Sequence, residues 1–415
     1  MLSEPTVTEH CLPLRPADFS SLAEALDYAA RGQTGMNFYN GRGELYAALP
    51  YSLLRHQAIR LARRLRALGL GEGARVALVA ETNPEFVRFF FACQYAGLVP
   101  VPLPVSVNLG SHRAYVDHLR GMLIDCQARL AMAPSDVLPF VEEAAEWLGL
   151  RFVGDAPAFD ALPAADLPLV APEPGDLAYI QYTSGSTRFP RGVMIRQEAV
   201  LNTLAGIIRH GVRIGPGDRC VSWLPFYHDM GLVGLVLVPV ASQMSVDYLD
   251  TRAFAMRPRK WLELMTRTRA TISFGPPFGY DLVARRLRPG EARKFDLSHW
   301  RVAGVGAEMI RAETLEHFAE RLAPAGFDPK AFLACYGMAE CTLATSFSPL
   351  WTGFTTHHID ADHLSEQHEA VLLDENDTQG RGRHFVNCGV PLPGFDVEIR
   401  DDDKVLDDWQ TGVIY

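Results

Sequence analysis

The segment Asp176–Val193 reads DLAYIQYTSGSTRFPRGV and joins an apolar stretch to a polar loop. Leu177–Tyr182 is apolar, aromatic and β-branched, which predicts a buried strand. The loop that follows carries four hydroxyl side chains around one glycine: Thr183, Ser184, Gly185, Ser186 and Thr187. Such a loop can wrap a polyphosphate, because glycine lets the backbone approach and each N–H or O–H can donate to an anionic oxygen.

Arg191 follows this loop and supplies a fixed positive charge suited to phosphate. The loop is not a Walker A motif, because that motif needs Gly-Lys before Ser or Thr, whereas here Gly192 precedes Val193. A flexible Ser/Thr turn between two strands is the alternative interpretation of the same residues.

The composition predicts a large folded protein that does not bind nucleic acid. The 415 residues are 48% hydrophobic, which allows a sizeable core, and they suffice for two or three domains. The net charge of −10 argues against the basic face of a nucleic-acid binder. The seven scattered cysteines include no C-x-x-C pair, which indicates a reduced, cytoplasmic protein without structural zinc.

No segment of the sequence predicts a membrane anchor. The first ten residues, MLSEPTVTEH, lack the apolar core of a signal peptide. The most apolar run, Gly231–Ala241, is too short to span a bilayer and contains Pro239, so we expect it to be buried.

Strand and helix patterns alternate along the chain. Predicted strands are Arg75–Ala80, Leu130–Ala133, Arg219–Leu224, Ala270–Phe274 and Trp300–Val305, and predicted helices are Ser52–Leu68, Pro84–Gly97, Pro258–Arg269 and Arg311–Leu322. This alternation predicts an α/β fold with two doubly wound, mostly parallel sheets, helices on both faces and a smaller β sub-domain. The Ala- and Pro-rich segment Ala156–Pro174 predicts a linker between two sub-domains, 1–170 and 171–345.

Three further stretches carry candidate chemistry. Trp223–Gly231 reads WLPFYHDMG and places His228 and Asp229 at a strand-to-helix junction, where His228 can face a ligand or lie buried beside a capping Asp229. Val302–Glu308 reads VAGVGAE, whose small residues let a flat ring lie close to the backbone.

The third stretch, Cys335–Glu340, reads CYGMAE. Glu340 can hold Mg²⁺, which takes one or two carboxylates plus phosphate oxygens, and Tyr336 can stack on a base. A glutamate at the start of a helix is the alternative interpretation of Glu340. After this stretch the apolar periodicity weakens from Ser348 to His384, where His357, His358, His363 and His368 lie among acids and glycines. Their spacing matches no metal motif and favours a polar surface insertion over a metal site.

Taken together and in order, TSGST, PRG, WLPFYHDMG, GAE and YGMAE resemble the core motifs of the adenylate-forming superfamily, which includes acyl-CoA synthetases, luciferases and peptide-synthetase adenylation domains. The finer resemblance is to fatty acyl-AMP ligases, which carry QYTSGST, WLPxYHDMGL, YGMAE, an insertion and CGxPLPG. The last motif is here Cys388–Gly394, CGVPLPG. The resemblance runs from about Phe38 onwards, and it implies a ligase-type insertion at 346–385 and the start of a β sub-domain at 386–415.

This resemblance implies an enzyme that uses ATP and Mg²⁺ to convert a fatty acid to acyl-AMP with release of pyrophosphate. The acyl group would then pass to the phosphopantetheine thiol of an acyl carrier protein. By similarity, Thr183–Thr187 and Arg191 would hold phosphates, Glu340 the Mg²⁺, and His228 would lie near the acyl carboxylate and the α-phosphate. By the same similarity, the residues that would contact the adenine nucleotide are Gly306, Ala307, Glu308, Tyr336, Gly337 and Met338. Those that would contact the acyl chain are Met230, Gly231, Ser273, Gly275, Phe278 and Tyr280.

The sequence departs from the family pattern in two places. Arg188 and Arg191 stand where the family loop has Gly and Lys; Arg191 keeps the charge, and Arg188 removes a permissive glycine. The chain reaches Tyr415 without the ribose-binding aspartate, hinge and small domain with its catalytic lysine. We therefore expect it to be the large N-terminal domain of a longer enzyme, with weak turnover by itself.

Two other functions remain open. An acyl-CoA synthetase would share the adenylating step and differ in its acceptor, and the release of CoA esters would separate the two. A non-catalytic module that binds acyl chains or adenylates would release no pyrophosphate.

Overall fold

The structure, a computed structural model, describes residues 12–105, 112–183, 190–374 and 381–415. Its strands, in chain order, are β1 Gly35–Tyr39, β2 Leu45–Pro50, β3 Arg75–Val79, β4 Val99–Leu103, β5 Leu130–Met132, β6 Phe152–Gly154, β7 Leu177–Tyr182, β8 Gly192–Arg196, β9 Arg219–Ser222, β10 Ser245–Leu249, β11 Ile272–Gly275, β12 Val302–Val305, β13 Phe332–Gly337, β14 Ala344–Phe347, β15 Thr356–Asp360, β16 Gly382–Val386, β17 Val390–Pro391, β18 Ile399–Asp401, β19 Lys404–Val405 and β20 Val413–Ile414.

The α-helices, in chain order, are α1 Leu22–Ala29, α2 Tyr51–Ala67, α3 Pro84–Ala96, α4 His112–Asp125, α5 Leu138–Ala145, α6 Ala156–Asp160, α7 Gln197–Gly206, α8 Val238–Ala241, α9 Thr251–Met256, α10 Arg259–Thr268, α11 Pro277–Arg286, α12 Ala312–Leu322 and α13 Ala361–Gln367. Two segments are π-helical, Ile207–Gly211 and Met230–Leu237. Across the described ranges, no helix has the length and apolar character needed to cross a membrane.

The chain divides into two compact units, and the first holds the residues up to Arg209, Arg213–Leu264 and Ala339–Leu343. In this unit β10 pairs in parallel with both β9 and β1, and β2 closes the row antiparallel to β1. A second sheet, in the order β4-β3-β5-β6, is parallel throughout. Strands β7 and β8 form an antiparallel pair of their own.

The second unit holds His210–Val212, Met265–Met338 and Ala344–Tyr415. Here β11, β12 and β13 are parallel, and β14 and β17 continue the row with antiparallel pairing. Strands β15 and β16 form a hairpin, and β18 pairs antiparallel with β19 and β20 in a small sheet. These sheets confirm the predicted α/β fold with its smaller β part. The division into 1–170, 171–345, 346–385 and 386–415 stays a prediction.

Helix α3 packs on the parallel sheet β4-β3-β5-β6, and residues near its two ends explain where it begins and ends. Helix α3 begins where the Asn83 side chain accepts a hydrogen bond from Phe86 N at 3.0 Å, with Pro84 in the first turn. It ends at Gly97, whose φ of 69° lies in the left-handed region that glycine adopts without strain. Strand β4 tolerates Pro100 and Pro102 because it lies at the edge of its sheet in the order β4-β3-β5-β6.

Two predictions about segments need correction. The predicted linker Ala156–Pro174 begins with helix α6, because Asp155 caps it by accepting from Ala158 N at 3.0 Å. The sequence of the predicted insertion offers three apolar side chains that can anchor it, Leu350, Trp351 and Phe354. Phe354 does contact Phe332, with ring centroids 5.9 Å apart, but Trp351 is 54% exposed and does not anchor the segment.

Candidate active site

The polar loop begins at the end of β7, whose bounds match the predicted strand. Thr183 N donates to Arg191 O at 3.0 Å, so the residues at the two ends of the loop face each other. Arg191 is exposed, and Thr183 is partly buried. Ser184, Gly185, Ser186, Thr187 and Arg188 lie outside the described residues. The closed base therefore joins the main chains of a hydroxyl residue and an arginine, two residue types whose side chains suit phosphate oxygens.

His228 and Asp229 follow β9 in the first unit. Nδ1 of His228 lies 2.7 Å from Oδ1 of Asp229. Met230 N also donates to Asp229 Oδ1 at 2.7 Å, and it lies 3.3 Å from His228 Nδ1. Because Met230 N makes the shorter bond to Asp229, we assign Nδ1 as the donor toward Asp229. Nε2, the other ring nitrogen, is then the atom that remains for a ligand.

Electrostatics raise the pKa of His228 above its ordinary value. Partial burial opposes the charged form, but the hydrogen bond and the negative charge of Asp229 outweigh that effect. The imidazolium form is therefore more populated near neutral pH than in a solvated histidine. A positive charge at this position suits an anionic phosphate or carboxylate.

The π-helix Met230–Leu237 follows the capping residue Asp229 and is buried except at Gly234. Gly231 is required by packing, because a Cβ there would collide with the carbonyl oxygen of Pro225. A helix of this type is rare and is often found at functional sites. The predicted acyl residues Met230 and Gly231 thus lie in the first turn of an unusual helix, beside His228.

Glu340 lies in a short turn, Ala339–Cys341, that belongs to the first unit although it follows β13 of the second. A Cβ at Gly234 would lie 3.3 Å from Leu343 Cδ2, which places the segment after Glu340 against the π-helix. Thr342 has a φ of 72° and is 4% exposed. A β-branched residue with positive φ is a genuine backbone outlier, and such outliers cluster at functional sites.

The Glu340 carboxylate is exposed and makes no hydrogen bond or ion pair with another described residue. Within the described ranges, no group of three or more His, Cys, Asp or Glu side chains could hold a metal ion. That finding covers the described histidines of the 348–384 segment. A single exposed carboxylate suits the mode in which Mg²⁺ takes one protein carboxylate and substrate phosphates supply other ligands, and the metal role of Glu340 stays a prediction.

The second unit holds the remaining predicted site residues. Gly306 follows β12, and a Cβ there would lie 2.8 Å from both the oxygen and the sulfur of Cys335. Ala307 has a φ of 70°. Glu308 Oε1 accepts from Phe278 N at 2.9 Å, so the GAE segment is joined to the first turn of α11. The sequence did not predict this bond.

The other predicted residues of this unit differ in accessibility. Tyr336, Gly337 and Met338 are partly buried at the end of β13, and Phe278 is 51% exposed. Ser273 and Gly275 are buried in β11. Tyr280 is fully buried among aromatic side chains and donates to Gly304 O at 2.9 Å, so it supports β12 from within the core. Their contacts with adenine or an acyl chain stay predictions.

Gln181 is the residue that sequence reasoning missed in the first unit. It is 1% exposed, and its Nε2 donates to Tyr227 O at 2.6 Å, which ties the strand before the loop to the residue before His228. A polar residue inside the apolar run LAYIQY was the available signal, because buried polar side chains need a partner.

A family profile described as AMP-binding enzyme matches residues 27–415. The chain belongs to the AMP-binding enzyme family. Among relatives, it is 44% identical over 416 residues to a Caulobacter vibrioides protein named as a candidate acyl-CoA synthetase, covering all of this chain and 72% of that protein. It is 31% identical over 392 residues to the medium-chain-fatty-acid–[acyl-carrier-protein] ligase JamA of Moorena producens, covering 92% of this chain and 65% of JamA.

A solved structure from work on fatty acyl-adenylate ligases of E. coli and L. pneumophila superposes with a TM-score of 0.93 at 48% identity. The match covers 97% of this chain and 72% of that one. The close structural neighbours of this AMP-binding family member therefore include fatty acyl-AMP ligases, as the motif order predicted.

Proposed function

We propose that the protein activates a fatty acid as acyl-AMP and passes the acyl group to an acyl carrier protein. The observation that carries this proposal is the closed base of the loop, where the bond from Thr183 N to Arg191 O brings the main chains of a hydroxyl residue and an arginine together. The likeness to a fatty acyl-adenylate ligase supports the first step, and the name of JamA supports the carrier protein as acceptor.

In the first step a carboxylate oxygen of the fatty acid attacks the α-phosphorus of ATP, and the bond from that phosphorus to the bridging oxygen breaks. Pyrophosphate leaves with the electron pair, so no external oxidant or reductant is needed. Two anions at 4 Å repel by about 4 kcal/mol at an effective dielectric of 20. The Arg191 guanidinium and the His228 imidazolium offset this repulsion. Mg²⁺ held by Glu340 would neutralise phosphate charge.

The direct test is a search for acyl-AMP by mass spectrometry, with a panel of fatty acids, ATP and Mg²⁺, and pyrophosphate release measured in parallel. We expect acyl-AMP with at least one chain length. Pyrophosphate and acyl-AMP both remaining at background would instead favour a non-catalytic module that binds acyl chains or adenylates.

Substituting Glu340 tests the proposed metal contact. Glu340→Gln should lower the rate of acyl-AMP formation by about 10²-fold, the scale for losing one preorganised charge stabiliser. Glu142→Gln is the matched control, because Glu142 is exposed on α5 away from every motif. Equal rates in Glu340→Gln and the control would remove Glu340 from the reaction.

An acyl-CoA synthetase is the second candidate, favoured by the name of the Caulobacter vibrioides relative. We propose that the segment between YGMAE and CGVPLPG disfavours CoA as acceptor. The structure indicates where to cut, because Asn387 N donates to Thr355 O at 2.9 Å at the base of the hairpin. The excised segment also bonds to Trp409 and Thr411, through Ala370 N and His368 O. Deleting 356–386 and joining these two residues through two glycines should allow acyl-CoA to form while acyl-AMP formation continues.

A shorter deletion provides the control. Asp360 pairs with Gly382, and Ala361 N donates to Arg381 O at 3.0 Å, so 361–381 can be replaced by a two-residue Asn-Gly turn that keeps β15 and β16. If only the longer deletion yields acyl-CoA, the two strands carry the effect. If the longer deletion folds and still yields none, the segment does not select the acceptor.

A further inference from the structure

One face of strand β7 packs against the hydrophobic core of the parallel sheet β4-β3-β5-β6. Ile180 and Tyr182 belong to the buried cluster that includes residues of β3, β4, β5 and α4. The Tyr182 hydroxyl donates to Asp125 Oδ2 at 2.6 Å, which joins the end of the strand to the end of α4. This face gives β7, and so the start of the polar loop, a fixed place in the first unit.

The opposite face of β7 meets the segment that carries His228. Side chains alternate along a strand, so Tyr179 and Gln181 share this face. Gln181 Nε2 donates to Tyr227 O at 2.6 Å. Tyr179 is fully buried. Burial, and then the negative charge of Asp229, hold the pKa of the Tyr179 hydroxyl well above its usual range.

A glutamine at position 181 is energetically unfavourable if its role is only to fill space. Its amide nitrogen must face the carbonyl of Tyr227, since only a donor can bond there. Its Oε1 is then buried, and the described residues offer it no hydrogen-bond partner. A buried unpartnered acceptor is unfavourable, and a methionine of similar size would fill the space without that penalty. The short bond to Tyr227 O is what distinguishes glutamine here, since the other bond of the same Nε2, to Tyr182 O, is 3.4 Å long.

We propose that Gln181 is a positioning residue that fixes the main chain at Tyr227 and thereby the orientation of His228 toward Asp229. Tyr227 precedes His228 directly, and His228 N and O are themselves bonded to Pro225 O and Leu232 N, at 3.2 and 2.8 Å. A main chain held on both sides of His228 leaves its ring few orientations. The consequence for catalysis rests on the proposed function, but the positioning does not.

The test compares Gln181→Met with Gln94→Met in the full natural chain. Gln94 is the control: it is 2% exposed, and its Nε2 donates at 2.7 Å to a carbonyl of the same strand, Ala178 O. Its Oε1 accepts from Gln197 Nε2 at 2.8 Å, so it differs from Gln181 in having a partner on both amide atoms. The readout is the NMR titration of the His228 ring, assigned with His228→Asn. In Gln181→Met the pKa of His228 should fall toward its ordinary value, whereas in Gln94→Met it should keep the wild-type value although thermal stability falls.

Activity adds a second readout. In Gln181→Met, kcat for acyl-AMP formation should fall by about tenfold or more while KM for ATP changes by less than about twofold, because misplacing a reacting group affects the rate more than binding. Where Gln181→Met does not fold, Gln181→Asn replaces it, since its amide is one methylene too short to reach Tyr227.

The outcomes separate the two proposals. An unchanged His228 titration in the folded Gln181 variant overturns the positioning role. A wild-type enzyme that forms no acyl-AMP, combined with a lowered pKa of His228 in the Gln181 variant, overturns the proposed function and leaves the positioning role supported.

Discussion

At the residue scale, the structure places His228 beside Asp229 in the capping arrangement that the sequence allowed. Asp229 caps the helix that follows by accepting from Met230 N, and its carboxylate also contacts the His228 ring. One carboxylate therefore fixes the start of a helix and raises the pKa of a histidine. The capping role of Asp229 is thus observed, whereas the contact of His228 with a ligand stays a prediction.

The raised pKa of His228 predicts how stability depends on pH. A group whose folded-state pKa exceeds its unfolded value, about 6.5 for histidine, contributes stability that is fully present below 6.5 and is lost as pH rises through the folded-state pKa. The unfolding free energy of the wild type should therefore fall across this window. In Asp229→Asn the fall should be smaller, because asparagine keeps the helix cap but removes the charge.

Denaturant titrations at a series of pH values on both sides of about 6.5 measure this effect. His228→Asn serves as the reference that lacks the titrating group. Parallel pH profiles for the wild type and Asp229→Asn would show that Asp229 does not stabilise the imidazolium.

At the element scale, strands β9 and β10 are joined by a buried ion pair. Arg219 donates to both carboxylate oxygens of Asp247, at 2.6 and 2.8 Å, and Asp247 is fully buried. Asn37 on β1 donates to the same carboxylate at 2.9 Å. Strand β9 leads into the WLPFYHDMG segment, so this pair fixes the register of the strand that presents His228.

Arg219→Met should lower the free energy of unfolding by about 3–5 kcal/mol, because the buried Asp247 carboxylate then keeps neutral hydrogen-bond donors but loses its positive partner. The measurement is the unfolding free energy from denaturant titration. Arg113→Met is the control: its pair with Asp117 is exposed and 3.8 Å long, and such pairs contribute about 0–1 kcal/mol. A loss in Arg219→Met no larger than in the control would mean that water or a rearranged side chain compensates the Asp247 charge.

At the scale of the whole molecule, ligand binding should stabilise the chain if the proposed function is right. A non-reactive acyl-adenylate analogue that binds only the folded state should add about 2.7 kcal/mol at 100 times its Kd, and so raise Tm. Thermal unfolding with the analogue, compared with adenosine and the free fatty acid added separately, measures this effect. No rise in Tm at saturating analogue would contradict an adenylate site in this chain.

The amino-acid sequence determined the features that depend on local pattern. Periodicity and end signals a few residues apart predicted the strand Leu177–Tyr182, the helix that Pro84 opens and Gly97 ends, and the burial of the Gly231–Ala241 run. The order of the motifs likewise indicated the family. These inferences succeed because steric and hydrogen-bonding preferences of neighbouring residues are present in any chain of this sequence.

Tertiary structure alone decided which distant residues meet. The bond from Gln181 to Tyr227 spans 46 residues, the Arg219–Asp247 pair joins two separate strands, and Ala339–Leu343 leaves the unit of its preceding strand to join the first. The exposure of Trp351, an apolar residue expected to be buried, belongs to the same class. Each depends on which surfaces pack together, because a side chain's neighbours, and not its identity, determine whether it finds a partner or solvent.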